Sequence, residues 1–538
     1  MILNKTISNK QFTILESLLI VALATVPLMV NFPYRVNIFL SWEGAYRLYL
    51  GQTPYEDFGL PMGYGYWMIP SLFFHLFGPY MSSLIKAQFF INILSGFAFR
   101  GILTTFNISS GKRFLSLLVF CISYSFFNFW PWYNHTVFVY QFIGFYFLLH
   151  SLLQNPTIIR NYIQLVLAGF FFFLSFFTKQ DGGALGILIA LGITFYHVLV
   201  SKKYKEGGIF IGAFVLVALL FILPYINHDF GYWFNLGQKP HNSRFSLSDI
   251  LDAVFGQSQW IKFYFFGIVL LLFTKVNSIK EFWEDKQLFT FSIFAIGILL
   301  EAAIVQVTSY TPPDNNIFYH SFAFAFLFSV LHFNFSFEKL KFVTLGFVLV
   351  MLWWSGAYWK YIGRIVKRYI PQTEQVAGQE GISKNTFMIV RDTSFTDVPE
   401  SEWVLSGLKA FDCVYMPPST VEGINKIIAM PMFKSEVKPK VLNMTELTPL
   451  AHELQYDFEL GQPLWYHKNV AVFDKEIALF CEKIANKEYD LVLFETVPYL
   501  NNFYPDEVRA ALSKHYQLKD SFLAPRRPTD STIEVFIK

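Results

Sequence analysis

The sequence predicts a polytopic α-helical membrane protein with a smaller α/β domain at its C-terminal end. Of the 538 residues, 54% are hydrophobic and 20% aromatic, and only 15% are charged, whereas a soluble globular chain carries about 25% charged residues. The apolar residues form long blocks up to about residue 360, and charges and prolines become frequent after it. This composition excludes a disordered chain and a single soluble domain. A formal net charge of +3 is too small, in so long a chain, to indicate a nucleic-acid partner.

A membrane-spanning helix needs about 20 mostly apolar residues, and the chain contains about eleven such runs. They cover residues 13–32, 81–103, 114–130, 136–153, 162–178, 183–200, 208–225, 260–274, 288–308, 318–334 and 342–359. The first run is not a cleavable signal peptide, because it is too long and no small-residue cleavage pattern follows it. We therefore predict a membrane domain over residues 1–360, with a first outer loop at 33–80.

The lysines and arginines of the connecting loops predict the orientation, because positive residues concentrate on the cytoplasmic side. With the N-terminus inside, fourteen of those up to residue 341 lie on the cytoplasmic side and seven lie outside. An odd number of spans then places residues 361–538 on the extracytoplasmic side.

Residues 361–538 have the pattern of a small extracytoplasmic α/β domain. Alternating and apolar runs predict strands at 386–390, 490–494 and 532–537, and helices at 475–487 and 504–515. No GxGxxG follows a strand and no GxxxxGK[ST] occurs, so nothing indicates a nucleotide site. Cys413 and Cys481 are predicted to be buried free thiols rather than a disulfide pair.

The first outer loop is predicted to contain two short helices at the membrane interface. Ser41 can cap the first helix, and Gly51 can end it in a left-handed conformation. An aromatic stripe on this helix is formed by Trp42, Ala45, Tyr46 and Tyr49, at i, i+3, i+4 and i+7. The second helix is predicted at 67–77, and Gly78-Pro79 ends it. Three carboxylates, those of Glu43, Glu56 and Asp57, lie between or within these helices.

The spacing of residues in this loop resembles that of a known family. The pattern is an acid-x-x-Tyr, then Gly-x-x-Pro-Tyr-x-Asp-Phe, then Leu-Phe-Gly, formed here by Glu43, Tyr46, Gly51, Pro54, Tyr55, Asp57, Phe58, Leu76, Phe77 and Gly78. It resembles the first outer loop of the GT-C glycosyltransferases, above all the bacterial relatives of protein O-mannosyltransferases and of the lipid A aminoarabinose transferase. The segment 177–183, Phe-Thr-Lys-Gln-Asp-Gly-Gly, is similar to the Thr-Lys-Gly type turn of that family. The resemblance covers roughly residues 10–335.

The resemblance implies a GT-C fold and an inverting sugar transfer at the outer face of a bacterial cytoplasmic membrane. The implied partners are a polyprenyl-phosphate sugar as donor, an extracytoplasmic lipid, glycan or protein as acceptor, and the membrane lipid. The acceptor hydroxyl needs a carboxylate to take its proton, and the matching family position makes Glu43 the expected general base. Many relatives have Asp or Asp-Glu where this sequence has Trp42-Glu43, which leaves Asp57 open as the base or as an orienting group.

The leaving lipid phosphate needs cations or hydrogen-bond donors to hold its growing charge. The resemblance gives this role to Lys179, although a lysine at the end of a span can also simply snorkel to the interface. Arg244 can pair with phosphate through two hydrogen bonds, and His320, which opens a predicted span, can donate to the phosphate or the sugar. We assign contacts with the sugar or the acceptor to Tyr46, Tyr55, His135 and Asn316.

We predict no metal or organic cofactor, although Glu43, Glu56 and Asp57 together offer the oxygen ligands that a divalent cation would take. Two other functions stay open. A transporter or flippase of lipid-linked sugars would use ionisable residues in mid-span, where only Glu16 and Glu301 stand out. A polymerase or ligase of the O-antigen type would need an Arg-rich outer loop, whereas the loop 226–259 carries only Lys239 and Arg244.

Overall fold

The structure is a computed structural model that describes residues 5–125, 128–154, 156–234, 246–309, 318–369, 398–498 and 503–538. The chain forms two compact units. Unit 1 comprises Met1–Val30, Leu40–Trp354 and Leu460–Phe473, and unit 2 comprises Asn31–Phe39, Ser355–Glu459 and Asp474–Lys538. The sequence predicts a single boundary at residue 360. In the structure each unit also includes a segment from the other side of that boundary: Leu460–Phe473 belongs to unit 1, and Asn31–Phe39 belongs to unit 2.

The helices, most of them in unit 1, follow the predicted apolar runs. In chain order they are α1 (Asn9–Ala24), α2 (Val26–Met29), α3 (Ile38–Tyr49), α4 (Met68–Phe77), α5 (Met81–Thr105), α6 (Ser110–Phe120), α7 (Tyr133–Leu153), α8 (Ile158–Thr178), α9 (Gln180–Ser201), α10 (Tyr204–Ile222), α11 (Phe230–Phe234), α12 (Leu247–Asp252), α13 (Gln259–Lys275), α14 (Ile279–Glu284), α15 (Lys286–Thr308), α16 (Phe318–Val330), α17 (Leu340–Trp353), α18 (Ser355–Tyr369), α19 (Pro418–Ile428), α20 (Leu450–Leu454), α21 (Asp474–Ala485) and α22 (Asp506–His515).

In the described ranges, the strands of unit 1 have two residues each and those of unit 2 have two to seven. They are β1 (Phe32–Pro33), β2 (Phe58–Gly59), β3 (Val404–Leu405), β4 (Val414–Met416), β5 (Val441–Met444), β6 (Gln462–Pro463), β7 (Leu491–Thr496), β8 (Gln517–Leu523) and β9 (Thr532–Ile537).

Every one of the eleven predicted runs contains a helix. Within the described ranges, six helices are long and apolar enough to cross a membrane, namely α5, α7, α8, α9, α10 with the turn that follows it, and α15. Two shorter apolar helices, α16 and α17, lie in the last two predicted runs. The protein is therefore an integral membrane protein.

Aromatic side chains fill the helical core of unit 1. Phe99 of α5 stacks on Phe120 of α6 with ring centroids 4.3 Å apart, and Phe106 stacks on Phe291 of α15 at 4.1 Å. Lipid tails are as apolar as these side chains, so helices in a membrane associate through close packing more than through the hydrophobic effect. The abundance of phenylalanine in the sequence therefore serves contacts between helices.

The two predicted loop helices are present as α3 and α4, with corrections to the first. Gly51 takes the left-handed conformation expected of it, with φ of +77°. Ser41 does not cap α3, which already begins at Ile38, and its hydroxyl donates to the Pro131 carbonyl instead. The aromatic stripe is buried against protein rather than presented to lipid: Trp42 lies 5.9 Å from Phe74 of α4, between ring centroids.

The main sheet of unit 2 has the strand order β5-β7-β9-β8, with β5 and β7 parallel and the other pairs antiparallel. The predicted strands 490–494 and 532–537 are confirmed as β7 and β9, and the predicted helices as α21 and α22. The strand predicted at 386–390 lies outside the described residues. Cys481 is a free thiol, as expected, and donates to the Glu507 carbonyl at 3.7 Å, but Cys413 and Cys481 are both partly exposed rather than buried as predicted.

The segment 31–39, which precedes α3, is built into unit 2. Its strand β1 pairs in parallel with β4, and the Tyr34 hydroxyl donates to the Glu446 carbonyl at 2.5 Å. The Glu446 side chain in turn pairs with Arg526 at 2.9 Å, and Arg526 also pairs with Glu495 at 2.5 Å. All three charged side chains are fully buried, so this network fixes the segment that leads into α3.

Candidate functional site

Helix α3 carries Glu43 on a buried face. The side chain of Glu43 is only 3% exposed, and its Oε1 accepts a hydrogen bond from Arg47 Nε at 2.9 Å. Residues four apart lie on the same side of a helix, so the sequence itself places the two charges together. Arg47 is fully buried, donates to Gln52 Oε1 at 3.1 Å, and lies over the Phe58 ring at 5.6 Å.

The environment of Glu43 tunes its acidity toward neutral pH. Burial raises the pKa of Glu43 to about 7, and the charge of Arg47 and its hydrogen bond act in the opposite direction. A carboxyl group with a pKa near the working pH is suited to accept a proton during a reaction.

The backbone of α3 is held by two tryptophans. The indole of Trp67 lies directly on Gly44, where a Cβ would come within 2.0 Å of it, and its Nε1 donates to the Leu40 carbonyl at 2.8 Å. Trp42 Nε1 donates to the Pro79 carbonyl at 3.1 Å. Only glycine leaves room for this approach, and the result is a fixed position for the neighbouring Glu43.

Lys179 follows α8 and belongs to a polar cluster with the end of α15. Its Nζ lies 3.2 Å from Asp181 Oδ2 and also hydrogen-bonds to the Ser309 hydroxyl. The same carboxylate oxygen accepts hydrogen bonds from Thr308 and Ser309, both at 2.7 Å. The ammonium further lies over the Tyr133 ring, 5.6 Å from its centroid.

The segment Gly63–Trp67 connects the surroundings of Glu43 with those of Lys179. The Gly65 carbonyl accepts a hydrogen bond from Tyr140 at 3.1 Å, and a Cβ at Gly65 would lie 3.0 Å from Thr178 Oγ1. The ring of Tyr66 packs edge-on against that of Tyr133, with centroids 5.9 Å apart. Lys179 lies over the ring of Tyr133, so Tyr66 and the ammonium contact the same aromatic ring, while the adjacent Trp67 contacts α3.

This helical arrangement is found in solved structures. The crystal structure of ArnT from Cupriavidus metallidurans in the apo state matches with a TM-score of 0.56 and 11% identity, over 98% of this chain and 98% of that chain. ArnT from the same organism bound to undecaprenyl phosphate matches with a TM-score of 0.51 and 11% identity, over 97% of each chain. The chain has the fold of ArnT. No family model and no curated protein sequence matches it.

ArnT is the lipid A aminoarabinose transferase, a GT-C glycosyltransferase, so the fold expected from the first loop is confirmed. The match runs almost the full length of both chains and therefore includes the C-terminal α/β part. At 11% identity the match shows a shared fold and assigns no roles to individual residues. Those roles rest on the geometry of this chain.

Within the ArnT fold, Asp57 stabilises a turn. Its Oδ2 accepts a hydrogen bond from the Thr53 amide at 2.7 Å, and its carbonyl accepts one from Gly461 at 2.7 Å. The neighbouring Glu56 is exposed and pairs with His228 at 3.3 Å. Glu43, Glu56 and Asp57 thus have separate partners, and no group of three or more acids, histidines or cysteines in the described ranges is arranged to hold a metal ion.

The two predicted tyrosines of the loop make contacts within the protein. Tyr46 stacks on Tyr49 of its own helix, with ring centroids 5.8 Å apart. Tyr55 is buried, its hydroxyl donates to the Met62 carbonyl at 3.1 Å, and its ring meets that of Phe230 edge-on at 5.0 Å. Both residues shape the loop around Glu43, and their assignment to sugar or acceptor stays a prediction.

The predicted histidines lie in two other polar clusters. His320 Nδ1 is 3.0 Å from the Tyr264 hydroxyl of α13, and its ring meets that of Trp354 at 4.8 Å. His135 Nδ1 lies 3.5 Å from Gln88 Nε2 of α5. Arg244 and Asn316 lie outside the described residues.

The two mid-span acids have different surroundings. Glu16 is fully buried and pairs with Arg100 Nε at 2.6 Å and Arg113 Nε at 2.7 Å. Glu301 Oε2 accepts a hydrogen bond from Gln141 at 2.7 Å, and its Oε1 has no hydrogen-bond partner among the residues that the structure describes. Glu16 therefore joins helices, while Glu301 keeps one oxygen available.

Sequence reasoning missed four polar residues of the site, Arg47, Asp181, Thr308 and Ser309. Arg47 is placed beside Glu43 by helical spacing, a signal that the sequence does contain. Asp181 stands within the 177–183 motif, but its partners Thr308 and Ser309 are 127 and 128 residues away. No local pattern indicates that pairing.

Proposed function

We propose that the chain is an inverting glycosyltransferase that moves a sugar from a polyprenyl-phosphate donor to an acceptor at the extracytoplasmic face of a bacterial inner membrane. The orientation is the predicted one, with eleven spans, a cytoplasmic N-terminus and the C-terminal α/β part outside. The observation that carries the proposal is the buried carboxylate of Glu43 paired with Arg47 at 2.9 Å, in a chain that has the ArnT fold.

In this reaction the acceptor hydroxyl attacks the anomeric carbon of the donor sugar. Glu43 takes the hydroxyl proton as the new carbon–oxygen bond forms with inversion. The bond between the anomeric carbon and the phosphate oxygen breaks, and its electron pair goes to that oxygen. Lys179 then balances the charge gained by the polyprenyl phosphate.

The Lys179–Asp181 pair positions the ammonium for this step in advance. Asp181 and Ser309 hold the ammonium in place before substrate arrives, so little ordering is needed on binding. A phosphate brings more negative charge than one carboxylate, and the ammonium has donors enough to contact both. The binding of undecaprenyl phosphate by ArnT, which shares the fold, supports a lipid phosphate as the ligand.

The proposal is tested with the purified protein in liposomes that contain labelled polyprenyl-phosphate sugars, by measuring transfer of label to lipid or glycan acceptors. We expect Glu43→Gln to lower the rate by at least about 10²-fold, the usual contribution of a general base, because the amide cannot accept the proton. Glu56→Gln is the matched control and should keep the wild-type rate. Full activity of Glu43→Gln would exclude Glu43 as the base.

A transporter of lipid-linked sugars is the second candidate, and the available oxygen of Glu301 favours it. It predicts that lipid-linked sugar crosses the bilayer without transfer, that Glu301→Gln stops the crossing, and that Glu43→Gln does not. The same liposomes, assayed for donor accessible on each side, separate the two functions.

A further inference from the structure

The hydroxyl of Tyr66, like the side-chain carbonyl of Asn37, is a buried polar group of the 33–80 loop without a hydrogen-bond partner in the described ranges. The side chain of Tyr66 is fully buried. The indole N–H of the neighbouring Trp67 is already donated to the Leu40 carbonyl at 2.8 Å.

Such a group is unfavourable in the protein alone. A buried hydroxyl without a partner costs roughly 1–3 kcal/mol of stability, and phenylalanine would give the same ring contacts without that cost. A substrate group that enters the site would supply the missing partner, which gives a reason for tyrosine rather than phenylalanine at this position.

The residues around Tyr66 indicate that this partner is negatively charged. Its ring contacts Tyr133, which carries the Lys179 ammonium on its face. Thr178, the residue directly before Lys179, also has a buried hydroxyl without a described partner. The Lys179 ammonium is already paired with Asp181 at 3.2 Å, so an anion bound here would share that ammonium with Asp181, and the two hydroxyls would supply further donors.

Tyr66 can act here as a donor. Burial raises the pKa of Tyr66 well above its ordinary value, the nearby Tyr133 and Glu43 act in the same direction, and the contact with Trp67 opposes them without reversing the shift. The phenol therefore stays protonated at neutral pH. A neutral phenol donates its proton in a hydrogen bond to an anion and does not compete with Glu43 as a base.

We propose that the Tyr66 hydroxyl donates a hydrogen bond to a phosphate oxygen of the bound polyprenyl-phosphate donor. This inference rests on the proposed function and adds a substrate-contacting residue to it. The hydrogen bond strengthens as the phosphate gains charge during departure, so it favours the transition state over the ground state.

The test compares Tyr66→Phe with Tyr64→Phe. Tyr64 belongs to the same segment but packs on Phe177 and Tyr225, so its variant controls for loss of a loop phenol. Binding of undecaprenyl phosphate and of undecaprenol, which lacks the phosphate, is measured for each protein in nanodiscs, together with the thermal unfolding midpoint.

We expect Tyr66→Phe to bind undecaprenyl phosphate roughly tenfold or more weakly, the usual effect of a hydrogen bond to a charged group. Its binding of undecaprenol should equal that of the wild type. The thermal unfolding midpoint of Tyr66→Phe should be unchanged or raised, because an unsatisfied hydroxyl has been removed. Tyr64→Phe should bind both lipids with wild-type affinity.

Two results would overturn the inference. Wild-type affinity of Tyr66→Phe for undecaprenyl phosphate would show that the hydroxyl does not contact the phosphate, while leaving the proposed function intact. A lower midpoint with equal weakening toward both lipids would assign the hydroxyl a structural partner. If the wild-type protein itself does not discriminate undecaprenyl phosphate from undecaprenol, the proposed function fails together with the inference.

Discussion

At the scale of single residues, two opposing effects set the properties of Glu43. Removal from water disfavours its charged form, and the guanidinium of Arg47 at 2.9 Å favours it. Burial is the larger effect, and the pKa of about 7 is the net result. A carboxylate in water has a pKa near 4 and would be a poorer base, while a fully unpaired buried one would stay protonated at neutral pH.

This balance predicts a pH dependence of transfer. Glu43 must be deprotonated to accept a proton, so kcat/KM should rise with pH up to about 7 and then level off. Arg47→Gln removes the charge that lowers the pKa of Glu43, so the rising limb should move to higher pH, by about one unit. Rates measured across the pH range check this, with exposed Arg160→Gln as the control. A limb that stays in place in Arg47→Gln would mean that another group titrates.

At the scale of elements, buried charge joins the first helices of unit 1. Glu16 of α1 receives hydrogen bonds from Arg100 of α5 and Arg113 of α6. Arg100 also donates to Thr13, and Arg113 to Asn9, both on α1. Helix α1 and the consecutive helices α5 and α6 thereby share one carboxylate, which fixes their relative rotation.

The Glu16 cluster predicts a large effect on stability. Glu16→Gln leaves two guanidinium groups without their counter-charge, and loss of one partner from a buried ion pair costs about 3–5 kcal/mol. Thermal or denaturant unfolding in detergent measures this loss. Glu284→Gln is the control, because the exposed Lys280–Glu284 pair at 3.9 Å should contribute at most about 0.5 kcal/mol. Equal midpoints for the two variants would contradict a structural role for Glu16.

At the scale of the whole molecule, strands from the C-terminal third hold the 33–80 loop on both sides of α3. Before α3, β1 pairs with β4 within unit 2. After α3, β2 pairs with β6 within unit 1, and the Leu464 amide donates to the Gly59 carbonyl at 3.1 Å. The C-terminal part is therefore needed for the conformation of the loop that carries Glu43.

We accordingly expect a chain that ends at Arg368 to lose transfer, because it lacks both β4 and β6. A milder test is Leu464→Pro, which removes the amide donor to Gly59 and also replaces a buried side chain, a loss that Leu464→Ala shares. It should lower transfer more than Leu464→Ala, which keeps that donor. Transfer and folding, followed by size-exclusion chromatography, are measured for all three. Full activity of the shortened chain would show that the loop folds without these strands.

The sequence by itself determined the elements. Apolar runs of about 20 residues predicted the positions of the helices, because a helix that crosses a bilayer must be that long and apolar. Gly51 and Gly78 predicted the ends of α3 and α4, since glycine alone adopts positive φ without strain. The strands β7 and β9 and the helices α21 and α22 followed from local patterns in the same way.

Only the tertiary structure decided which of these residues meet. The start of α3 at Ile38, the burial of its aromatic stripe and the cluster of Asp181 with Ser309 depend on partners from about 30 to more than 120 residues away. The pairing of β2 with β6 likewise joins distant segments. The absence of a hydrogen-bond partner for the Tyr66 hydroxyl among the described residues is also visible only in the folded chain. Local patterns encode backbone conformation and exposure to lipid, whereas the pKa of Glu43 and the surroundings of Lys179 arise from packing between distant segments, which no local pattern records.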